Sequence, residues 1–153
     1  MRGLWVVLCA ASALAAAAQG LTQALPGVPD PRRAWRDWAL NCQGCHRADG
    51  EGSSRTAPKL AGAVAKYLGV AGGREYIGRI PGIASSPLTD ARLAEVVNWM
   101  LWRFDGRDLP AHFQPFTAAE IGRLRLRPLR LRAAAVRREL QRRIRLRERS
   151  AAP

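Results

Sequence analysis

The segment NCQGCHRADG, residues 41–50, constrains this chain more than any other: two cysteines three positions apart are followed directly by a histidine. Covalent haem attachment needs two thiols that reach the two vinyl groups of one porphyrin, and an adjacent imidazole that binds the iron from the same side. Cys42, Cys45 and His46 supply all three groups. The pattern therefore predicts one covalently bound haem c.

Two other uses of this motif fit the chain less well. A closed zinc site needs four ligands, and only His112 could join Cys42, Cys45 and His46, three residues whose placement on one turn would strain a tetrahedron. A thioredoxin-like dithiol should follow a strand in a βαβ unit, and the sequence has no strand alternation. Both uses are disfavoured relative to haem attachment.

The first twenty residues, MRGLWVVLCAASALAAAAQG, resemble an export signal. A single positive charge at Arg2 precedes an apolar run over 4–18, with small residues suited to cleavage at its end. The run is short for a membrane helix, which needs about 20 apolar residues, so an uncleaved anchor is the less favoured alternative. We therefore expect a signal peptide over 1–20, a soluble periplasmic protein, and loss of Cys9 with the leader.

The basic charge is concentrated at the end of the chain. The net charge is +13, and residues 117–153 contain twelve arginines against three glutamates, a contribution of +9. Three prolines in residues 21–31 indicate an extended arm. The predicted organisation is a signal peptide (1–20), an arm (21–31), a haem domain (32–116) and an arginine-rich helical extension (117–153).

Helical periodicity dominates the pattern between these boundaries, so the predicted fold class is all-α. Helices are expected at about 32–45, at about 63–68 and, as a single turn, at 74–80. The clearest helix starts at an N-cap, Thr89, and has one apolar stripe, formed by Leu93, Val96, Val97, Met100, Leu101 and Phe104. Thr117 and Glu120 predict a capping box for a further helix, and a narrow apolar stripe in 129–149 consists of Ala133, Val136, Leu140 and Ile144.

The segments AWRDWALNCQGCHRADGEG and APKLAG resemble the first helix and haem loop of small single-haem c-type cytochromes (class I), and SPLTDARLAEVVNWML resembles the terminal helix of that family. The resemblance covers about 35–104. It implies a cytochrome c-like helical fold in which the Pro58 carbonyl accepts a hydrogen bond from His46, and Trp38 and Trp99 pack across the two helices. With Leu60, these residues would form the haem pocket.

The far face of the iron departs from the family pattern. The family usually places a methionine ligand before the last helix, often followed by proline, whereas this chain has Ile80 and Pro81 there. Isoleucine cannot bind iron. Met100 and His112 are the candidate sixth ligands; a vacant or water-filled site, or a donor such as Lys66 or Tyr76, is the alternative.

The resemblance implies an electron carrier and not an enzyme, one that relays single electrons between a dehydrogenase and an oxidase or other acceptor. The alternatives are a haem sensor or peroxidase-like protein with an open distal site, and a cytochrome subunit of a larger dehydrogenase complex. The arginine-rich extension suits an acidic docking surface on a redox partner, or peripheral contact with an anionic membrane. The alternative is a solvated helix that packs on the domain through Val136, Leu140 and Ile144 and has no binding role. Export disfavours a nucleic-acid partner.

Overall fold

Helices make up the regular structure of residues 25–53 and 57–151, the part of the chain that the computed structural model describes. The longer α-helices are α1 (Pro31–Asn41), α5 (Asp90–Asp105), α6 (Ala118–Arg125) and α7 (Ala133–Ser150); α2 (Gln43–His46), α3 (Gly73–Arg79) and α4 (Pro81–Ala84) are short. Extended pairing within the described ranges is limited to one isolated bridge between Ser53 and Ala57. The all-α prediction is confirmed, and the predicted signal peptide lies outside the described residues.

Helix α5 forms the centre of the core. It begins as predicted at Thr89, whose hydroxyl accepts a hydrogen bond from the Arg92 N–H. Its apolar stripe is buried against α1 on one side and α6 on the other, and only Phe104 is partly exposed. Burial of a stripe of this width against two helices is a principal source of helix stability in a small domain.

Two buried carboxylates fix α1 against α5. Asp37 is 2% exposed and binds the Arg92 guanidinium, while Glu95 is 4% exposed and accepts hydrogen bonds from Arg33 at 2.7 Å and from the Asp30 N–H at 2.6 Å. Buried carboxylates are costly unless they are paired and hydrogen-bonded, and both of these are. The pairs therefore set the position of α1, which leads directly into the cysteine motif.

The predicted helix over 32–45 is interrupted at Cys42, and this boundary of the prediction was wrong. The backbone at Cys42 has φ −127° and ψ −38°, and a separate helical turn, α2, follows it. Asn41 contributes to the break, because its side-chain amide donates to the Asp37 carbonyl at 2.8 Å and so competes with the helical backbone bond. Gly44 further weakens helix continuation.

The two short helical segments predicted at 63–68 and 74–80 are present, but they begin and end at different residues from those predicted. The segment expected at 63–68 is a 3₁₀ turn over Ala65–Gly69, and the turn expected at 74–80 is α3. Helix α4, which starts at Pro81, was not predicted. In the predicted extended arm, the described residues 25–30 instead form a turn, with the Val28 N–H donating to the Leu25 carbonyl at 2.9 Å.

The basic extension packs on the rest of the chain and shares its core. Ile121 of α6 is fully buried, and Leu140 and Ile144 of α7 are 3% and 8% exposed, packed toward α3 and the turn Ala65–Gly69.

The capping box at the start of α6 is half formed: the Thr117 hydroxyl accepts from the Glu120 N–H, but the Glu120 carboxylate binds the Arg74 guanidinium. Within the described ranges, none of the helices combines the length and apolarity needed to cross a membrane.

Replacing Leu140 with alanine should destabilise the holoprotein by about 2–3 kcal/mol, because the substitution leaves a cavity between α7 and the haem domain. The matched control is Leu146→Ala on the same helix, whose side chain is 42% exposed and whose loss should cost about 0.5 kcal/mol or less. Urea unfolding followed by circular dichroism measures both changes. Equal midpoints for the two variants would show that α7 is not docked in solution.

Candidate haem site

Cys42, Cys45 and His46 lie together on one turn at the end of α1. The His46 N–H donates to the Cys42 carbonyl at 3.0 Å and the Cys45 N–H donates to the same oxygen at 3.2 Å. Cys42 is partly buried, Cys45 is exposed, and the two thiols are not joined in a disulfide. The turn thus presents two thiols and one imidazole from a single short segment.

A loop that folds back over this turn fixes the histidine. The Gly52 N–H donates to the His46 carbonyl at 2.9 Å, and the Gly50 carbonyl accepts from the Leu60 N–H at 2.7 Å. Both glycines have φ near +70°, which favours glycine, and a Cβ on Gly50 would come within 2.7 Å of the Phe104 ring. This folding brings the Pro58 carbonyl to 3.1 Å from His46 Nδ1, the contact expected from the family resemblance.

The Pro58 contact determines which nitrogen of His46 can bind a metal. A carbonyl only accepts hydrogen bonds, so Nδ1 carries the proton and the lone pair of Nε2 is available to a metal ion. Burial lowers the pKa of His46, and the hydrogen bond to Pro58 partly opposes that shift. Both the tautomer and the neutral charge state therefore suit metal binding.

The two thiols have different surroundings. Burial raises the pKa of Cys42 to about 11, with smaller contributions from the charges of Cys45 and Asp37. A thiol with a raised pKa is a poor nucleophile for disulfide exchange, because the thiolate is the reactive form. This environment argues against a redox dithiol at this motif.

Aromatic side chains cover the inner side of the motif. The Trp38 ring centroid lies 5.9 Å from that of His46, 5.9 Å from that of Trp99 and 5.1 Å from that of Phe104. Trp38 is 2% exposed, yet its indole N–H has no hydrogen-bond partner among residues 25–53 and 57–151. An unpaired buried donor is costly, so this one marks a place where the polypeptide leaves a polar group unmatched.

The other predicted pocket residues are distributed around this cluster. Leu60 and Met100 are buried in the core at 7% and 5% exposure, whereas His112 is exposed in the loop between α5 and α6. Lys66 forms an ion pair with Glu148 at 2.8 Å. Tyr76 stacks on Tyr67, and burial raises its pKa to about 12. Ile80 is partly buried between α3 and α4.

Asp105, which the sequence analysis did not single out, holds the loop that carries Pro58. It is 4% exposed; one carboxylate oxygen accepts from the Gly62 N–H, and the other accepts from the Ala65 N–H at 2.7 Å. The sequence did contain a signal for this residue, namely an aspartate at the C-terminus of the predicted helix. A carboxylate there interacts unfavourably with the helix dipole and therefore needs a hydrogen-bond donor elsewhere in the chain. Its partners, about 40 positions away, could not be read from that signal.

The donor set fits a covalent haem c better than a zinc ion. Two thiols, an imidazole whose tautomer is already set, and an aromatic cluster with an unpaired donor correspond to the attachment, ligation and enclosure of a porphyrin. Over residues 25–53 and 57–151, no three His, Cys, Asp or Glu side chains are grouped as metal ligands would be. The predicted residues Cys42, Cys45, His46, Trp38, Pro58 and Trp99 are brought together; His112 is not.

Comparison with known proteins agrees with this site. A family model described as cytochrome c matches residues 36–103. A cytochrome c-552 of Thermus thermophilus is 35% identical over 106 residues, in an alignment that covers 58% of this chain and 81% of that protein. A second cytochrome c-552, from a particular strain of the same species, is also 35% identical over 106 residues, and 72% of its length is covered.

Proposed function

Because this chain belongs to the cytochrome c family, we propose that it relays single electrons in the periplasm between a dehydrogenase and an oxidase or other acceptor. It is an electron-transfer haem protein and not an enzyme, with one haem c attached through Cys42 and Cys45. When bound, the haem iron supplies a redox couple that exchanges one electron at a time. The observation that carries the proposal is the single turn of two thiols and an imidazole oriented by Pro58.

In this proposal His46 would bind the iron through Nε2. Pro58 holds the imidazole ring in place and increases its donor strength through the hydrogen bond at Nδ1. Trp38, Leu60 and Trp99 exclude water from the inner side of the site, since all three are buried. A dry and rigid environment reduces the rearrangement that accompanies a change of charge, which suits rapid electron exchange.

Met100 is the residue proposed for the far face of the iron, and His112 is the alternative. Burial in the core beside Trp99 favours Met100, whereas His112 would have to leave the surface. Thioether ligation raises a haem potential and suits an electron relay, a second histidine lowers it, and a vacant position admits small ligands. The identity of this ligand therefore separates the relay from an open-site sensor or peroxidase-like protein.

Periplasmic location and an acidic partner complete the proposal. The leader-like segment over 1–20 supports export. On α7, Leu140 and Ile144 face the core, and arginines such as Arg138 and Arg145 are exposed and available to an acidic redox partner. Such docking predicts an association that slows with rising ionic strength. The extension is also proposed to contact an anionic membrane through side chains outside its buried stripe.

Carbon monoxide binding to the purified, reduced holoprotein tests the relay. We expect an absorption spectrum typical of covalent haem c that carbon monoxide leaves nearly unchanged, because His46 and Met100 would both bind the iron. Met100→Leu, which conserves side-chain volume, should then bind carbon monoxide readily. The matched control, His112→Ala, should behave like wild type. Rapid stoichiometric uptake by the wild-type protein would contradict the relay and favour an open-site sensor or peroxidase-like function.

A further inference from the structure

The connection between α6 and α7 has the features of a membrane-docking surface. We name residues 123–132 the basic corner. Leu131 in this corner is 100% exposed and Leu126 is 80% exposed, although leucine is among the residues most often found inside proteins. Four exposed arginines surround them: Arg123, Arg127, Arg130 and Arg132.

The two leucines protrude from a firmly held backbone. Between them, Leu129 is 7% exposed and its N–H donates to the Arg79 carbonyl at 2.9 Å; the Arg79 side chain returns a bond to the Arg127 carbonyl at 2.7 Å. The leucines are therefore not exposed because the segment is loose.

The backbone of the basic corner is strained at Arg130. Arg130 has φ +46°, a left-handed conformation that is unfavourable for a residue with a Cβ. Leu129, directly before it, is buried, and Leu131, directly after it, is fully exposed. Strain of this kind is found where the surrounding structure enforces it, often at functional positions.

The charge of the corner is uncompensated. Among the described residues, no carboxylate forms an ion pair with Arg123, Arg127, Arg130 or Arg132; the one ion pair nearby joins Arg125 to Asp90 at 3.0 Å. Arg125 also donates to the carbonyls of Ala84, Ser86 and Leu88, between the end of α4 and the start of α5, and so belongs to the scaffold. The outward arginines are free to bind anionic groups.

We propose that the basic corner docks this protein on an anionic lipid bilayer, with Leu126 and Leu131 entering the interface and the four arginines binding lipid phosphates. Guanidinium groups suit phosphate, and shallow insertion of apolar side chains next to basic ones is the usual form of peripheral membrane contact. A docking site for an acidic protein would favour aromatic anchors, and protruding leucines are under-represented at such sites. The inference rests on the proposed membrane contact of the extension and is independent of the electron-relay function.

Sedimentation of the holoprotein with vesicles tests this surface, with bound protein measured by haem absorbance. Vesicles of equal parts phosphatidylglycerol and phosphatidylcholine should bind the wild-type protein, and pure phosphatidylcholine should bind little. Leu126→Ser with Leu131→Ser should weaken binding roughly tenfold. Arg123→Gln with Arg127→Gln should weaken it on the order of twentyfold.

Matched controls come from α1, where Leu40 is 83% exposed and Arg36 is also exposed. Leu40→Ser and Arg36→Gln should bind like wild type. One result that overturns the proposal is full binding by the leucine double variant together with loss of binding by the arginine variant. The corner would then bind vesicles through charge alone, as it would bind an acidic protein surface. If Arg138→Gln with Arg145→Gln on α7 abolishes binding and the corner variants do not, the extension contacts membrane but not at this corner, which also overturns the proposal. The haem spectrum of each variant reports the redox site separately.

Discussion

Replacing both Cys42 and Cys45 with alanine should give a protein whose pigment is fully extracted by acidified organic solvent, whereas the wild-type pigment stays with the polypeptide. The two thiols are on one turn, in which the Cys45 and His46 N–H groups both donate to the Cys42 carbonyl, and Cys42 and Cys45 are the cysteines of the described residues. Without them no side chain at the site can form a thioether to a vinyl group. Mass spectrometry of the denatured chain should then find the polypeptide without haem.

The chain offers a matched control in Cys9. That residue lies in the predicted signal peptide, so Cys9→Ser should leave covalent haem, yield and spectrum unchanged. Cys45→Ala alone should retain haem through Cys42 with an altered absorption spectrum, because one vinyl group remains unsaturated. Acid-resistant pigment on the double variant would mean that the haem is tethered elsewhere, and the role assigned to this motif would then be wrong.

Local signals explain why the helices around the site could be predicted. Pro31 and Thr89 stand at the starts of α1 and α5, where proline at the first helical position and a hydroxyl cap are favourable. The stripe of α5 repeats at helical spacing. Each of these signals acts within a few residues, so the sequence alone is sufficient to detect it.

Contacts between distant residues could not be predicted in this way. The Asn98 amide donates to the Gly27 carbonyl, 71 positions away, and also to the Phe116 carbonyl at 3.0 Å. Nothing in the neighbourhood of Asn98 distinguishes it from an exposed helical residue. It is 1% exposed because two segments outside α5 cross the helix at that point.

The basic corner shows a second limit of sequence reasoning. In residues 123–132, RLRLRPLRLR, leucine and arginine nearly alternate, so the sequence pattern does not distinguish a buried leucine from an exposed one. The structure buries Leu129 and exposes Leu126 and Leu131, and Arg130, which starts a 3₁₀ turn over Arg130–Arg132, has a left-handed conformation. Irregular backbone has no fixed period, so which side chain faces the core depends on tertiary contacts.

Asp105, the last residue of α5, should be the polar residue whose loss most weakens the loop that carries Pro58. Replacing it with alanine leaves the Gly62 and Ala65 N–H groups without their acceptor, which should lower the free energy of unfolding by about 2–5 kcal/mol. Denaturant unfolding of the holoprotein measures the loss. Hydrogen exchange at the Gly62 and Ala65 amides should accelerate at the same time, because a loss confined to the loop opens those two amides first.

The exposed carboxylate of Asp108 provides the matched control for Asp105, since it is only three positions away but lies at the surface. Asp108→Ala should change the free energy of unfolding by about 0.5 kcal/mol or less. Asp105→Asn, which keeps one acceptor oxygen, should be destabilised less than Asp105→Ala. If Asp105→Ala unfolds at the same denaturant concentration as Asp108→Ala, the loop is held by other contacts. The orientation of Pro58 toward His46 would then have to be set by the tight turn at Gly50 and Gly52 alone.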